Sequence, residues 1–391
     1  MIILDDLTRP TPADRVLPII LGQLADAGIE PAEVTVVIGG GTHRPATADQ
    51  ALRKVGPSGR ACRIVVHDQR RNLVHVGRTS YGSPVIVSRE VAASDLLIGV
   101  GGVYPQHSVG FGGGAKLLLG VLGRRSIISL HYGHGSVAGT YDIDNDFRRD
   151  LDEMAAILAF RQLVTLHVDA NRDIVRIACG DFRRHYRQAA AFSRTAYSAP
   201  LPTGADVVIA NAYPMDVSLT FTRSKGMAPL FRARPGASRV LLAACSEGLG
   251  HHGLFPYLNG PRMERQLHQL RRLSVMRPSS LAAKVARRVR RRLARGRTRP
   301  SAESQSTPER RAPERDILFH ATDTRPGDLP ATMPGMSLVE SWAALVRAVE
   351  EEQGAGRELQ VAVYPCAPLH CLDLAGAEVR DHLAGGGRAR V

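Results

Sequence analysis

Asp95–His134 reads DLLIGVGGVYPQHSVGFGGGAKLLLGVLGRRSIISLHYGH. Its first six residues, DLLIGV, form a short apolar run bounded by polar residues and glycine, the pattern of a strand buried on both faces. Such strands belong to parallel sheets covered by helices, so this run predicts an α/β fold. The chain then passes Gly101-Gly102 and reaches a denser glycine run at Gly112, Gly113 and Gly114, directly before Lys116. Glycines this close together let backbone approach a ligand. A lysine at the end of the run is placed to meet an anionic or electrophilic group. The run is not a phosphate-binding G-x-x-x-x-G-K-[ST] loop, because Ala115 and Leu117 stand where glycine and Ser/Thr would be required. His107, His131 and His134 add candidates for proton transfer or metal ligation.

Upstream, Met1–Leu4 reads as a short strand delivering Asp5-Asp6-Leu7-Thr8-Arg9-Pro10. Open α/β sheets place ligand-binding groups at such strand ends. A helix over Arg15–Gly28 follows. Val34–Ile38 is a second strand, running into Gly39-Gly40-Gly41-Thr42-His43-Arg44-Pro45 and a helix at Thr47–Val55. That glycine loop suits a phosphate or carboxylate but lacks the G-x-G-x-x-G dinucleotide pattern. Cys62–His67, Val85–Val87 and Val164–Val168 are further strands, and helices are expected at Asp146–Leu158 and Phe182–Phe192. Ser198–Gly204, SAPLPTG, has the composition of a linker. Beyond it strands recur at Asp206–Ala210, Arg239–Ala244, Asp316–His320, Leu338–Val339 and Val361–Tyr364, with a helix carrying Thr222, Arg223 and Lys225 and another at Ser341–Glu352. The expected architecture is therefore two α/β domains with mainly parallel sheets, 1–198 and 199–391, with the active site in the cleft between them.

Composition narrows the function classes. With 44% hydrophobic and 23% charged residues the chain is ordinary for a globular protein. Its five scattered cysteines argue against a disulfide framework. No apolar run approaches a membrane span, and the N-terminus has no secretory pattern, so the expected location is cytoplasmic. The net charge of +14 is concentrated: Lys284–Arg299 alone holds nine basic and no acidic residues. The surrounding 277–315 stretch reads as a basic, flexible insertion in preference to a contact with an anionic membrane surface or nucleic acid, since it lacks interleaved aromatic residues and any recognised binding motif. Cys366, His370 and Cys371 match no standard zinc spacing.

Taken in order, the loops resemble the nickel-pincer-dependent lactate racemase family. The matching elements are Asp6-Leu7-Thr8-Arg9-Pro10, Thr42-His43-Arg44-Pro45, His107 with Gly110-Phe111-Gly112-Gly113-Gly114-Ala115-Lys116, His131, Gly139…Asn145…Glu153 and Pro214…Asp216…Lys225. The likeness spans the chain apart from 277–315. It implies a nickel-pincer nucleotide, a pyridinium mononucleotide carrying two sulfur-containing arms, attached at Lys116 and embraced by Gly112, Gly113, Gly114 and Thr42, with His131 completing the nickel coordination. His43 and His107 are implied as acid and base on opposite substrate faces, with Asp6 in support. Arg9 and Lys225, with Thr222 nearby, are implied to hold the substrate carboxylate, and Trp342 to wall the pocket. The implied partners are a small 2-hydroxy acid and the cofactor-synthesis enzymes.

The implied reaction is racemisation or epimerisation of a lactate-like 2-hydroxy acid. Its Cα proton is too weakly acidic for easy abstraction, so hydride removal coupled to hydroxyl deprotonation is the accessible route. A histidine on each side fits that requirement. Two departures bear on substrate choice: the glutamine the resemblance leads one to expect near Lys225 is absent, and the spacings from His107 to Lys116 and from Lys116 to His131 are each one residue short. The chain opens almost directly on Asp6–Arg9, where relatives carry an additional segment, as a start site set too far downstream would produce. Two other readings stand beside the racemase: an epimerase of a larger hydroxy or sugar acid, and a non-enzymatic anion-binding protein.

Overall fold

A computed structural model describes residues 1–106, 109–134, 141–248, 250, 252, 254, 317–322 and 335–372. His107 and the 277–315 insertion lie outside the described residues. The larger sheet has six strands in the spatial order Ile174–Asp181, Gln162–Val168, Ile98–Gly102, Ile2–Asp5, Thr35–Gly39, Arg63–Val66. All neighbours are parallel except the antiparallel pair Gln162–Val168 and Ile174–Asp181. The smaller sheet is wholly parallel, in the order Met336–Leu338, Ile317–Ala321, Ser238–Ala243, Val207–Asn211, Val361–Tyr364. The α/β class with mainly parallel sheets is thus as the sequence implied.

The pleat explains why the first strand is apolar throughout. Ile2 and Leu4 pack on one face against Leu17, Ile20 and Leu21 of the Leu17–Asp26 helix and Val55 of the next one. Ile3 points to the opposite face, against Leu118, Ile127, Leu130, Leu151 and Met154. Successive residues of a strand face opposite sides, so a sheet covered twice needs apolar side chains at both. The smaller sheet repeats this arrangement, with Val208, Leu241 and Phe319 on one side and Val207, Val240 and Leu318 on the other. Among the described residues, no helix is long and apolar enough to cross a membrane.

Several elements differ from the sequence reading. Leu73–Arg78 and Pro84–Ser88 form a hairpin, of which only the second strand was expected. Ile174–Asp181 is an edge strand that leaves Val175, Arg176 and Ile177 exposed. Arg124–Gly133 is a helix that opens on Arg124 and Arg125, so its buried apolar positions begin only at Ile127 and its apolar spacing is short. The linker stretch begins in structure: Ser198–Ala199 pairs in parallel with Cys371–Leu372.

In both sheets the first strand of each run is central, and connections diverge to either side of it. Between Ile2–Asp5 and Ile98–Gly102 the strand order reverses, and a crevice opens at the carboxyl ends of strands at such a point. Two glycine segments meet there. Gly41 N–H donates to Gly120 O at 3.0 Å, and a Cβ on Gly120 would lie 2.6 Å from Gly39 O. Replacing Gly120 by alanine should therefore lower stability by roughly 1–3 kcal/mol, read as a shifted denaturation midpoint at unchanged slope. An unchanged midpoint would show that these loops have room to separate.

Candidate active site

One cavity of about 300 Å³ gathers the carboxyl ends of the strands. Asp5 and Asp6 arrive from Ile2–Asp5, Gly39–His43 from Thr35–Gly39, and Gly102, Tyr104 and Gln106 from Ile98–Gly102. Gly112, Gly113 and Lys116 follow on the glycine run, and His131 lies in the last turn of Arg124–Gly133. The smaller sheet contributes Met215, Thr220, Phe221, Ser224, Lys225 and His252. Of the candidates read from sequence, Asp6, Arg9, Thr42, His43, Gly112, Gly113, Lys116, His131 and Lys225 therefore face one space.

Three candidates do not line it. Thr222 is fully buried, with its hydroxyl 3.5 Å from Cys245 Sγ on the core side of its helix. Gly114 backs onto the Tyr186 ring, where a Cβ would meet Cδ2 at 2.6 Å. Trp342, 54% exposed, opens the Trp342–Gln353 helix against the smaller sheet. Its place follows from the N-cap Ser341, whose hydroxyl accepts from Ala344 N–H and fixes where the helix starts.

The aspartates have separate partners. Asp5 accepts from Lys54 Nζ at 2.8 Å and from the Thr11 hydroxyl, both buried, so it is committed to holding the loop after its strand. Asp6 accepts from the Thr8 hydroxyl at 2.6 Å and pairs through Oδ2 with His43 Nδ1. Burial raises the Asp6 carboxyl, but His43, Arg9 and the Thr8 hydroxyl outweigh it and hold it below the usual carboxylate range. With Asp6 ionised, His43 carries a proton on Nδ1, leaving Nε2 to exchange one. The ring is held edge-on by Phe221, with centroids 4.8 Å apart.

Burial, with Arg9 and Arg148 close by, pulls the Lys116 amine down to about 7. The same cause, with Arg9 and Lys116, takes Lys225 well below an ordinary lysine. Three basic side chains, Arg9, Lys116 and Lys225, thus share a cavity with Asp6, which is paired with His43. The space suits an anion. Burial and Lys116 pull His131 down to about 4, so its ring is neutral at ordinary pH. His131 Nδ1–H donates to Ile127 O at 2.9 Å, which leaves the lone pair of the neutral ring on Nε2. Among the described residues, no three His, Cys, Asp or Glu side chains gather to hold a metal, Cys366, His370 and Cys371 included. Any metal here would take most of its ligands from a bound group.

Sequence reading assigns no role to Arg148 or His252, and offers His134 only as a candidate for proton transfer or metal ligation. Arg148 is 3% exposed and donates to Gly113 O at 3.0 Å and Phe111 O at 2.6 Å, with its guanidinium 4.2 Å over the Tyr186 ring. It clamps the glycine run from behind. Its only sequence signal is its position three residues after Asn145, which caps the helix through Arg148 N–H. We expect Arg148→Met to lower stability by about 2–4 kcal/mol, since two buried carbonyls lose a charged donor. Equal melting temperatures for the two proteins would rule the clamp out. His134 pairs with buried Asp150 at 2.7 Å, which also accepts from Thr79 and Ser83, a network beneath the Leu73–Ser88 hairpin rather than part of the cavity. His252 lines the cavity beside His43.

A doubly covered, mainly parallel sheet opening at its strand ends onto a buried cavity lined by basic side chains and an Asp–His pair defines an α/β protein with a pocket suited to an anion. Comparison with known proteins shows what the chain is similar to. Residues 1–139 match the lactate racemase N-terminal domain. The lactate racemase of Lactiplantibacillus plantarum is 26% identical over 266 residues, 65% of this chain and 62% of that protein. That of Thermoanaerobacterium thermosaccharolyticum is 28% identical over 269 residues, with the same coverage. The match thus spans somewhat less than two thirds of these relatives. The fold is similar to that of the lactate racemase apoprotein from T. thermosaccharolyticum, with a TM-score of 0.65, 19% identity and coverage of 95% of this chain and 86% of that one. A Thermotoga maritima protein has the same fold at a TM-score of 0.58 and 14% identity. Residues 1–139 thus match the model of a lactate racemase N-terminal domain, and about two thirds of the chain is similar in sequence to the two lactate racemases.

Proposed function

We propose that this protein is a racemase or epimerase of a lactate-like 2-hydroxy acid, working with a nickel-pincer nucleotide attached at Lys116. The observation that carries the reading is the single cavity holding the Asp6–His43 pair, the low-pKa amine of Lys116 and the neutral imidazole of His131. In this reading residues 1–198 and 199–391 are two domains, and the cavity is the cleft between them.

The donor set fits the group. A buried amine that is half neutral near pH 7 can be acylated, as attachment through an amide-like arm requires. A single neutral histidine with its second nitrogen fixed by a backbone carbonyl suits a nickel ion whose other ligands come from the nucleotide. The Gly112-Gly113 backbone, steadied by Arg148, borders the space beside Lys116. When bound, the group supplies a carbon that accepts and returns hydride.

The protein's own work is then binding and proton transfer. Arg9 grips the substrate carboxylate with its planar fork, and Lys225 adds a second cation from the smaller sheet. His43 Nε2 takes the hydroxyl proton, with the resulting imidazolium stabilised by Asp6. His107 is assigned the same task on the opposite face, from the sequence resemblance alone. The cytoplasm is the proposed site of action, with cofactor-synthesis enzymes as partners. An epimerase of a larger hydroxy or sugar acid is the second reading, motivated by Thr222 facing the core rather than the cavity.

The test is production of the full chain together with the cofactor-synthesis enzymes, followed by intact mass and nickel analysis. A mass adduct on Lys116, one nickel per chain and interconversion of D- and L-lactate are the expected results. Nickel-free protein without an adduct would refute the cofactor assignment. Turnover of larger acids only would select the second reading.

A further inference from the structure

We infer that His252 is a substrate-binding residue, donating a hydrogen bond to an oxygen of the 2-hydroxy acid that Arg9 and Lys225 hold. The inference rests on the reading just given and concerns a residue that the sequence left without a role.

The segment that carries His252 is fastened at both ends to the larger sheet's side of the molecule. Leaving the Ser238–Ala243 strand, the chain turns through Cys245 at φ +57° and Gly248 at φ +58°. It turns again at Gly250, φ +67°, where a Cβ would meet Ser218 Oγ at 2.3 Å. Glu247 pairs with Arg44 at 2.6 Å, one residue beyond His43. Leu254 is 1% exposed in the core that covers the larger sheet, and its carbonyl accepts from the Tyr132 hydroxyl at 2.8 Å. Between these anchors the backbone of His252 forms an antiparallel bridge with that of His43. The fold has thus strapped one residue of the second half onto the proton-transferring histidine of the first.

The ring is placed for contact with substrate. Its centroid is 4.9 Å from that of His43 and 6.0 Å from that of Phe221, and it lines the same cavity as Arg9, Lys116 and Lys225. With the two rings this close, a small acid whose hydroxyl meets His43 can present a second oxygen to His252. Leu254 N–H donates to His252 Nδ1 at 3.3 Å, so a neutral ring carries its proton on Nε2 and is a donor there. Burial, reinforced by His43 and His131, keeps the ring neutral. Thr222, the polar residue that the sequence offers for this duty, is turned to Cys245. A neutral donor from the 245–254 strap takes its place. Beside the Arg9 guanidinium it adds direction without adding charge.

Two measurements on the full chain test this: calorimetric binding of L-lactate and pyruvate, and steady-state racemisation by the nickel-loaded protein. His252→Ala should weaken binding and raise KM by about tenfold or more, because a hydrogen bond to a charged or strongly polar oxygen is lost. Its kcat should stay within about threefold, as expected for binding made equally in ground and transition states. His252→Gln, which keeps a neutral N–H donor, should recover most of the loss and also show that the strap tolerates substitution. Binding by His252→Ala within about twofold of the parent would overturn the inference, as would a fall in kcat at constant KM. Parent protein that binds lactate through His252 but does not racemise it would sink the enzymatic reading and leave this one standing. Parent protein that binds neither acid overturns this inference.

Discussion

If the nucleotide is attached at Lys116 as proposed, replacing that lysine with alanine should remove the mass adduct and drop racemase activity to background, at least about 10³-fold below the parent, because attachment makes an otherwise intermolecular encounter intramolecular. The same position makes a second, opposite prediction for stability. In the unfolded chain this amine titrates near 10.5, while burial brings it to about 7 in the folded protein. Below about pH 7 both states carry the proton, and the folded state bears the full cost of a buried cation. As pH rises from 7 towards 10.5 only the unfolded chain still binds the proton, so that cost is progressively relieved and stability increases. Lys116→Met, which keeps the volume and removes the charge, should therefore stabilise the unloaded protein at pH 7 by roughly 2–5 kcal/mol. The gain should shrink as pH approaches 10. A protein that lost activity and stability together on this change would point to a structural lysine. The measurement is chemical denaturation at several pH values on unloaded protein, so it does not depend on loading.

That opposition explains what could and could not be read from the chain. Lys116 was visible because a glycine run followed by one lysine in an apolar context has few structural uses. Asp6, Arg9 and His43 were visible for a similar reason: short strands ended in polar residues where an α/β sheet presents ligands. The sheet itself was legible because parallel strands buried on both faces are continuous apolar runs, as in Ile2–Leu4 and Val207–Ala210. What escaped were contacts that only folding creates. Arg148 sits in an ordinary charged helix turn, and nothing local says that its guanidinium turns inward to the carbonyls of Phe111 and Gly113. His252 stands in a loop of glycines and histidines more than two hundred residues from His43, and only the strap between Glu247 and Leu254 makes them neighbours. Thr222 and Trp342 were placed in the pocket by resemblance, yet helix geometry decides otherwise. Thr222 lies three residues from Lys225 on Leu219–Lys225, but the cavity takes Phe221, Ser224 and Lys225 while Thr222 turns to the core. Trp342 is held by its capping serine on the smaller sheet. The elements missed outright, the hairpin's first strand and the Ile174–Asp181 edge, are exposed on at least one side, so their sequences lack the apolar continuity that marked the others.

His43→Asn should lower kcat by about 10²–10⁴-fold while leaving KM within a few-fold, the cost of losing a positioned acid–base group. Asp6→Asn should also act mainly on kcat. Asp6 accepts from His43 Nδ1, so its carboxylate both selects the tautomer that presents Nε2 to the substrate and stabilises the imidazolium formed when that atom gains a proton. An asparagine oxygen can still accept that bond, but it removes the charge, and its amide can turn to favour the wrong tautomer; a fall of about 10²-fold or more is expected. Because Asp6 is held below the usual carboxylate range, it stays ionised through the whole working range of pH. The activity profile near neutrality should therefore follow the pair as one unit rather than a separate carboxyl titration. The decisive measurement is the double variant. If Asp6 acts only through His43, His43→Asn has already removed everything Asp6 contributes to the proton transfer, and adding Asp6→Asn should lower kcat no further. Additive losses would mean that Asp6 touches the substrate or orders Arg9 independently, which its 3.3 Å and 2.6 Å contacts to Thr8 beside Arg9 would then have to explain.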